Sequence, residues 1–347
     1  MRIAQVAPVF ESVPPRLYGG TERVVAYLTE ELISQGHEVT LFASGDSVTR
    51  AKLVPSCEMA TRLNPTCKDA MAHNVLALEK VFAQVQDFDV VHFHIDYLHF
   101  PLSRRHRVRQ LTTLHGRLDL PDLLPLYREF DDMPLVSISD AQRRPLPFAR
   151  WLRTVHHGLP EGMFKFNPGP GKHLAFLGRI APEKRLDRAV DIAVRLGIPL
   201  KVAAKVDAAD QAYYETLKPL LRHPLVEFVG EVGETEKAQL LGEAIGLLFP
   251  VDWPEPFGLV MIEALACGTP VLAYRSGSVP EVLEDGVTGF VVDDLGSAVK
   301  AGARLAALSR RRCREEFERR FTAARMAKDY AAVYGQLGEA PARSLAR

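Results

Sequence analysis

Trp253-Pro-Glu-Pro-Phe-Gly-Leu-Val-Met-Ile-Glu-Ala-Leu-Ala-Cys-Gly-Thr-Pro-Val271 follows a short apolar run at residues 246–249 and leads into another at 271–273. The prolines at 254 and 256 make a turn, Phe257-Gly258-Leu259 opens a helix, and Gly268-Thr269-Pro270 stops it. The whole therefore reads as strand, loop, helix and strand. Gly258 permits close backbone approach, and the first helical N–H groups are free donors backed by the helix dipole. An anionic or hydroxyl-rich ligand fits such a start. Glu255 falls in the loop and Glu263 inside the helix, so the two can meet different parts of one extended ligand. The plain alternative is a surface turn before a half-buried helix with a solvated Glu263.

The same alternation runs along the chain. Strands are expected at residues 3–6, 38–42, 90–94, 110–114, 135–138 and 154–156, then at 174–177, 200–203, 226–229, 246–249, 271–273 and 289–292. Their Val, Ile and Leu content suits parallel strands buried on both faces. Two such series in 347 residues imply an α/β chain of two Rossmann-like, doubly wound domains, residues 1–170 and 171–320. The Pro- and Gly-rich stretch Gly158-Leu-Pro-Glu-Gly-Met-Phe-Lys-Phe-Asn-Pro-Gly-Pro-Gly171 supplies the connector, with the boundary near 170. Residues 311–337 read as strongly helical, with an apolar face that includes Phe317, Phe321, Tyr330 and Tyr334.

Composition narrows the function. Lys plus Arg and Asp plus Glu both number 43, which argues against a protein that coats nucleic acid. Local arginine runs (Arg104, Arg105, Arg107, Arg109 and Arg143, Arg144, Arg150, Arg153) read as solvated faces or as a weak peripheral contact with a membrane or an anionic acceptor. The four cysteines show neither a close metal-ligand pair nor a disulfide framework, and the apolar start is broken at Pro8. A cytoplasmic protein with reduced thiols is the simplest expectation.

Several residues are candidates for chemistry. Gly19-Gly20 could approach a phosphate, with Thr21 as N-cap of a helix running to about residue 35; this is neither a dinucleotide fingerprint nor a P-loop. His115 follows a strand of the first sheet at its carboxyl end, where open α/β sheets bind ligands. His92, His94 and His99 lie close by in sequence, but the spacing of a zinc site is missing, so no metal is expected. Arg179 follows a strand and Lys184 starts the next helix, so both cations can converge on one diphosphate. Asp87-Phe-Asp89 precedes a strand and is read as a loop, away from the ligand edge.

Taken together, Gly19-Gly20, His115-Gly116, Gly178-Arg179 through Lys184, Val229-Gly230-Glu231-Val232 and Glu255 with Glu263 resemble the retaining glycosyltransferases of family 4 over residues 1–337. The resemblance implies the GT-B fold, with a C-terminal helix from about residue 321 to 337 crossing back to an acceptor-binding first domain. It implies a nucleotide-diphosphate-sugar co-substrate, UDP-sugar before GDP-sugar, and no cofactor. By correspondence Arg179 and Lys184 would bind diphosphate, and Glu263 would accept from ribose hydroxyls. Phe257, Gly258 and Leu259 would present N–H groups, while Glu255 would touch the sugar. Gly19 and Gly20 would approach the diphosphate, His115 the transferred sugar, and Val229, Gly230, Glu231 and Val232 the base. The family proposal is a front-face, metal-independent reaction in the interdomain cleft. Two departures stand out: Val202-Ala-Ala-Lys-Val-Asp207 replaces a Gly-rich turn, which makes Lys205 a further donor contact, and His157-Gly158 replaces Asn-Gly. Val13-Pro-Pro through Tyr18-Gly-Gly-Thr-Glu-Arg23 also resembles a bacterial subgroup named as UDP-glucose:tetrahydrobiopterin glucosyltransferases. The acceptor is open among small molecules, glycans and lipid-linked glycans, and would meet the loops after residues 8, 43, 94 and 116. A nucleotide-sugar epimerase of the same fold and a non-catalytic, two-lobed sugar-binding protein are the alternatives.

Overall fold

The computed structural model describes residues 1–16, 19–106 and 108–337, and divides into two compact units. The first comprises Met1–Gly158 and the chain from Ala323; the second is Leu159–Thr322. The first holds β1 (Arg2–Val6), β2 (Glu38–Ser44), β3 (Lys52–Cys57), β4 (Val90–Phe93), β5 (Gln110–Thr113), β6 (Leu135–Ser137) and β7 (Trp151–Thr154). The second holds β8 (His173–Arg179), β9 (Leu200–Lys205), β10 (Val226–Gly230), β11 (Ala244–Phe249), β12 (Val271–Tyr274) and β13 (Gly289–Val292).

All pairings are parallel, in the orders β3-β2-β1-β4-β5-β6-β7 and β10-β9-β8-β11-β12-β13. Each sheet grows outward in both directions from a central pair, β1/β4 or β8/β11. The connections after these paired strands leave on opposite sides, which opens a crevice at their carboxyl ends. Central strands are buried throughout, as β4 and β12 show, because helices cover both faces.

The differences from the sequence reading lie mostly at edges. β3 was not anticipated: Lys52-Leu-Val-Pro-Ser-Cys57 is half exposed and carries Pro55, which an edge strand tolerates. β7, the other edge, spans Trp151–Thr154 instead of 154–156. The helical tail is two helices, Arg310–Arg320 and Ala323–Gln336, the second over the stretch where the resemblance implied a helix from about residue 321 to 337. At the break the Phe321 carbonyl accepts from Leu159 N at 2.9 Å, a bond that competes with continuation of the helical ladder. After the break the chain returns to the first unit, where Met326, Tyr330, Val333 and Tyr334 are buried and Gln35 Nε2 donates to Ala324 O at 3.1 Å.

The connector also belongs largely to the second unit, so the division falls at Gly158–Leu159 and not near residue 170. Arg314 Nη1 donates to Phe164 O at 2.8 Å, Arg310 Nε donates to Asn167 O at 2.7 Å, and Asn167 N donates to Cys267 O at 3.1 Å. These bonds dock the Pro- and Gly-rich connector on the second unit.

Backbone approach is tight where β12 meets β13. A Cβ on Gly289 would stand 2.0 Å from Val271 O, whereas one on Gly178 would meet nothing within 4 Å. Gly289→Ala is expected to cost roughly 1–3 kcal/mol, by forcing the ladder apart. Gly178→Ala should stay within about 0.5 kcal/mol of wild type. Urea unfolding midpoints of the two variants check this.

Candidate functional site

In the second unit the chain leaves β8 through Arg179 and a short turn at Pro182–Lys184, and leaves the adjacent β11 through the loop before the helix Leu259–Ala266. The two exits are tied together by Asp252 N donating to Glu183 O at 2.8 Å. The parallel order thus brings Lys184 and Glu255, 71 residues apart in sequence, into one ion pair through Glu255 Oε2. Trp253 Nε1 donates to the same oxygen at 2.9 Å, and the ammonium lies 4.9 Å from the centre of the Trp253 ring. Glu255 is also held by its backbone: Ser278 N donates to Glu255 O at 3.0 Å. Gly277, at φ +52°, packs where a Cβ would lie 2.2 Å from that carbonyl oxygen. Only glycine fits there.

Gly258, at φ +78°, takes the position before the helix, as the sequence suggested, with Phe257 before it and Leu259 as the first helical residue. Glu263 lies on this helix with its carboxylate 1% exposed, and its Oε1 is 2.9 Å from Lys237 Nζ. It is not a solvated residue. Lys237 also meets Glu234 at 2.9 Å, and was not foreseen because an i, i+3 Glu-Lys pair looks like an ordinary helix surface.

Arg179 ends β8 opposite Lys205 in β9. Its guanidinium is 2.8 Å from Glu183, 3.6 Å from Asp207 and 3.5 Å from Asp210; Lys205 Nζ is 3.1 Å from Asp207. Burial acts against ionisation of Asp207, but the Lys205 and Arg179 charges outweigh it and hold its carboxyl below the ordinary range. The cations expected to converge on a diphosphate therefore already have anionic partners, and Arg179 and Lys184 stand in different ion-pair sets. Val229 and Gly230 end β10, Gly230 at φ +80°, and Glu231 and Val232 form the turn beyond it.

In the first unit, His115 Nε2 and His94 Nδ1 are 2.9 Å apart, and the His157 ring stacks on His115 at 5.3 Å between centroids. Burial depresses the His115 pKa to about 3 and holds His92, His94, His99 and His157 well below the ordinary value, so all are neutral near pH 7. They are bonded within the fold: His92 to Tyr334 and Thr113, and His99 to Ser103 and Thr112. Among the described residues no group of three or more His, Cys, Asp or Glu is arranged to hold a metal.

Gly19 precedes the helix Gly20–Ser34, which has no side-chain cap; Thr21 lies inside its first turn and is not the N-cap. Glu22 in that turn is buried, and desolvation raises its pKa. Asp89 pairs with Arg2 at 2.9 Å before β4 begins, as expected of a loop carboxylate. Of the arginine runs, Arg104 meets Glu129 and Asp132 at 2.7 Å and Arg109 donates to Leu337 O at 2.9 Å, while Arg107 lies outside the described residues. Leu17 and Tyr18, in the Val13–Arg23 motif, are outside them as well. No helix among the described residues is long and apolar enough to cross a membrane.

Both halves of the chain match glycosyltransferase families. Residues 18–158 match the model described as Glycosyltransferase Family 4, and residues 163–324 match Glycosyl transferases group 1. The chain is 29% identical over 204 residues to a D-inositol 3-phosphate glycosyltransferase of Mycolicibacterium smegmatis, covering 52% of this chain and 44% of that protein. It is 26% identical over 315 residues to an N-acetyl-alpha-D-glucosaminyl L-malate synthase of Bacillus anthracis, covering 79% and 81%. Among solved structures it resembles a sucrose-phosphate synthase of Thermosynechococcus elongatus, with TM-score 0.81 and 18% identity over 97% of this chain and 99% of that one. It also resembles Anabaena HepE in complex with UDP and glucose, with TM-score 0.73 and 16% identity over 97% and 100%.

These neutral histidines, His115 partly exposed and the other four buried, make stability depend on pH. Their folded pKa values lie below the unfolded value near 6.5, so the unfolded chain binds more protons once the pH falls below about 6.5. Stability is full above that pH and is lost below it, for His115 at up to about 1.4 kcal/mol per pH unit down to a pH of about 3. The urea midpoint should fall from pH 7 to pH 5, while the His115 ring proton in NMR spectra should not titrate over that range.

Proposed function

Taking the chain as a glycosyltransferase of the GT-B fold, we propose that it transfers a sugar from a nucleotide-diphosphate-sugar to an acceptor hydroxyl with retention of anomeric configuration. A UDP-sugar is the favoured donor and a GDP-sugar the next. The observation that carries this reading is Lys184, paired with Glu255 at the β8/β11 crevice, with Arg179 on the adjoining strand end. The likeness to HepE, whose structure contains UDP and glucose, supports the choice of donor.

In this reading the donor's diphosphate lies against Arg179 and Lys184, with Lys205 as an added contact. Arg179 is shared by Glu183, Asp207 and Asp210, so a diphosphate replaces carboxylates at a guanidinium already fixed by its strand. Lys184 keeps Glu255 Oε2, which leaves Glu255 Oε1 to accept from a sugar hydroxyl. Glu263 serves the ribose, Phe257, Gly258 and Leu259 offer backbone N–H groups, and Val229, Gly230, Glu231 and Val232 serve the base. From the first unit, His115 contacts the transferred sugar and Gly19 and Gly20 approach the diphosphate.

The reaction breaks the bond between the anomeric carbon and the diphosphate oxygen and forms a bond from the same face to the acceptor oxygen. The acceptor proton goes to the released phosphate oxygen. Charge developing on the leaving diphosphate is met by preorganised cations, which stabilise the transition state more than the bound donor. The positive charge comes from side chains, so the proposed reaction is metal-independent. The acceptor is a hydroxyl compound whose class the site residues do not select.

A thermal-shift series with UDP-, GDP- and ADP-sugars tests the reading. A UDP-sugar should raise the melting temperature, since a ligand at 100 times its Kd adds about 2.7 kcal/mol to stability. Arg179→Gln and Lys184→Gln should each weaken UDP-sugar binding about tenfold or more, while the unliganded proteins stay folded. Stabilisation by none of these sugars, or unchanged affinity in both variants, would contradict the proposal.

A further inference from the structure

One side-chain network in the first unit runs from the tail helix to His115. Tyr334 OH lies 2.8 Å from His92 Nδ1 and 3.1 Å from Gln5 Nε2; Gln5 Oε1 lies 2.8 Å from His94 Nε2; His94 Nδ1 lies 2.9 Å from His115 Nε2. Gln5 in β1, His94 just beyond β4 and Tyr334 are all at most 2% exposed, so water does not compete for these bonds. His115 Nδ1, at the end of the chain of bonds, is buried and has no hydrogen-bond partner among the described residues.

Such a chain has a direction, set by which way the Gln5 amide points. The two distances decide it. At 3.1 Å the contact with Tyr334 suits an N–H···O bond and is long for O–H···O, whereas 2.8 Å to His94 suits N–H donating to a carbonyl oxygen. Gln5 Oε1 can only accept, so His94 Nε2 carries the proton. Burial keeps His94 neutral, so its Nδ1 is a lone pair, and His115 Nε2 must then be the donor. The opposite tautomer of His115 would set lone pair against lone pair at 2.9 Å.

We infer that Gln5 is a positioning residue which, through His94, fixes His115 as the Nε2–H tautomer and leaves Nδ1 unprotonated. That His115 serves the transferred sugar rests on the proposed function; the tautomer does not. Tyr334 holds the other end of the Gln5 amide, so the helix Ala323–Gln336 is part of this device as well as part of the core.

The test is the nitrogen spectrum of full-length protein labelled with 15N-histidine, with His115 assigned from the signals lost in His115→Asn. The wild-type spectrum should show His115 protonated at Nε2 and not at Nδ1. Gln5→Glu keeps an acceptor for His94 and should preserve this pattern. Gln5→Met removes the acceptor and should give a mixture of tautomers, with kcat for acceptor-free hydrolysis of UDP-glucose falling about tenfold and its KM changing far less. A wild-type His115 protonated at Nδ1 overturns the inference, and so does an unchanged tautomer in Gln5→Met. If neither variant folds, the wild-type spectrum decides alone. Nε2–H in a protein that binds no nucleotide-sugar would sink the transferase reading and keep the relay; donor binding with Nδ1–H would do the reverse.

Discussion

The ion pair between Lys184 and Glu255 fastens the two chain exits that the parallel topology brings to one crevice. It exists because β8 and β11 are neighbours in space while their following loops depart in opposite directions. Around it, the Asp252–Glu183 backbone bond, the Trp253 indole and the tight approach of Gly277 set the position of a single carboxylate. Glu255 is thereby preorganised, with its orientation settled before any ligand arrives. The helix after Gly258 and the strand after Pro270 follow from the same local sequence, so site and fold share one segment.

The two units handle polarity in opposite ways. In the second, charge is dense and internally compensated: Arg179, Lys184 and Lys205 are set among Glu183, Asp207, Asp210 and Glu255. Partly buried cations of this kind remain in place because their carboxylates lower the cost of taking them out of water. In the proposed reading the carboxylates on Arg179 yield when a diphosphate binds while Glu255 stays on Lys184, so binding is an exchange of anions. In the first unit the polar groups near His115 are neutral, linked by hydrogen bonds and closed to solvent, so their contribution is directional and not coulombic.

Much of this was legible in the sequence, and the limits have physical causes. Central strands announce themselves because burial on both faces demands a short, largely apolar run, as Val90-Val-His-Phe93 and Val271-Leu-Ala273 show. The edge strand β3, half exposed and carrying Pro55, gives no such run. The Pro-Glu-Pro-Phe-Gly run located the loop and helix start correctly, since turn and breaker chemistry is local. Partnerships are not local. Nothing near Glu263 indicated Lys237, nothing near Arg179 indicated that Asp207 and Asp210 would share it, and Gln5 gave no sign of a partner 329 residues away in Tyr334. The bond from Leu159 N to the Phe321 carbonyl was hidden for the same reason, because Leu159 is remote in sequence.

The central claim, that a donor diphosphate exchanges places with carboxylates at a preset cation pair, is tested most directly by a crystal structure of the protein with UDP. The account predicts diphosphate oxygens within hydrogen-bond distance of the Arg179 guanidinium and the Lys184 ammonium, with at least one of Asp207 and Asp210 moved off Arg179 and Glu255 still on Lys184. A nucleotide bound with every Arg179 and Lys184 ion pair intact and its phosphates elsewhere would contradict it.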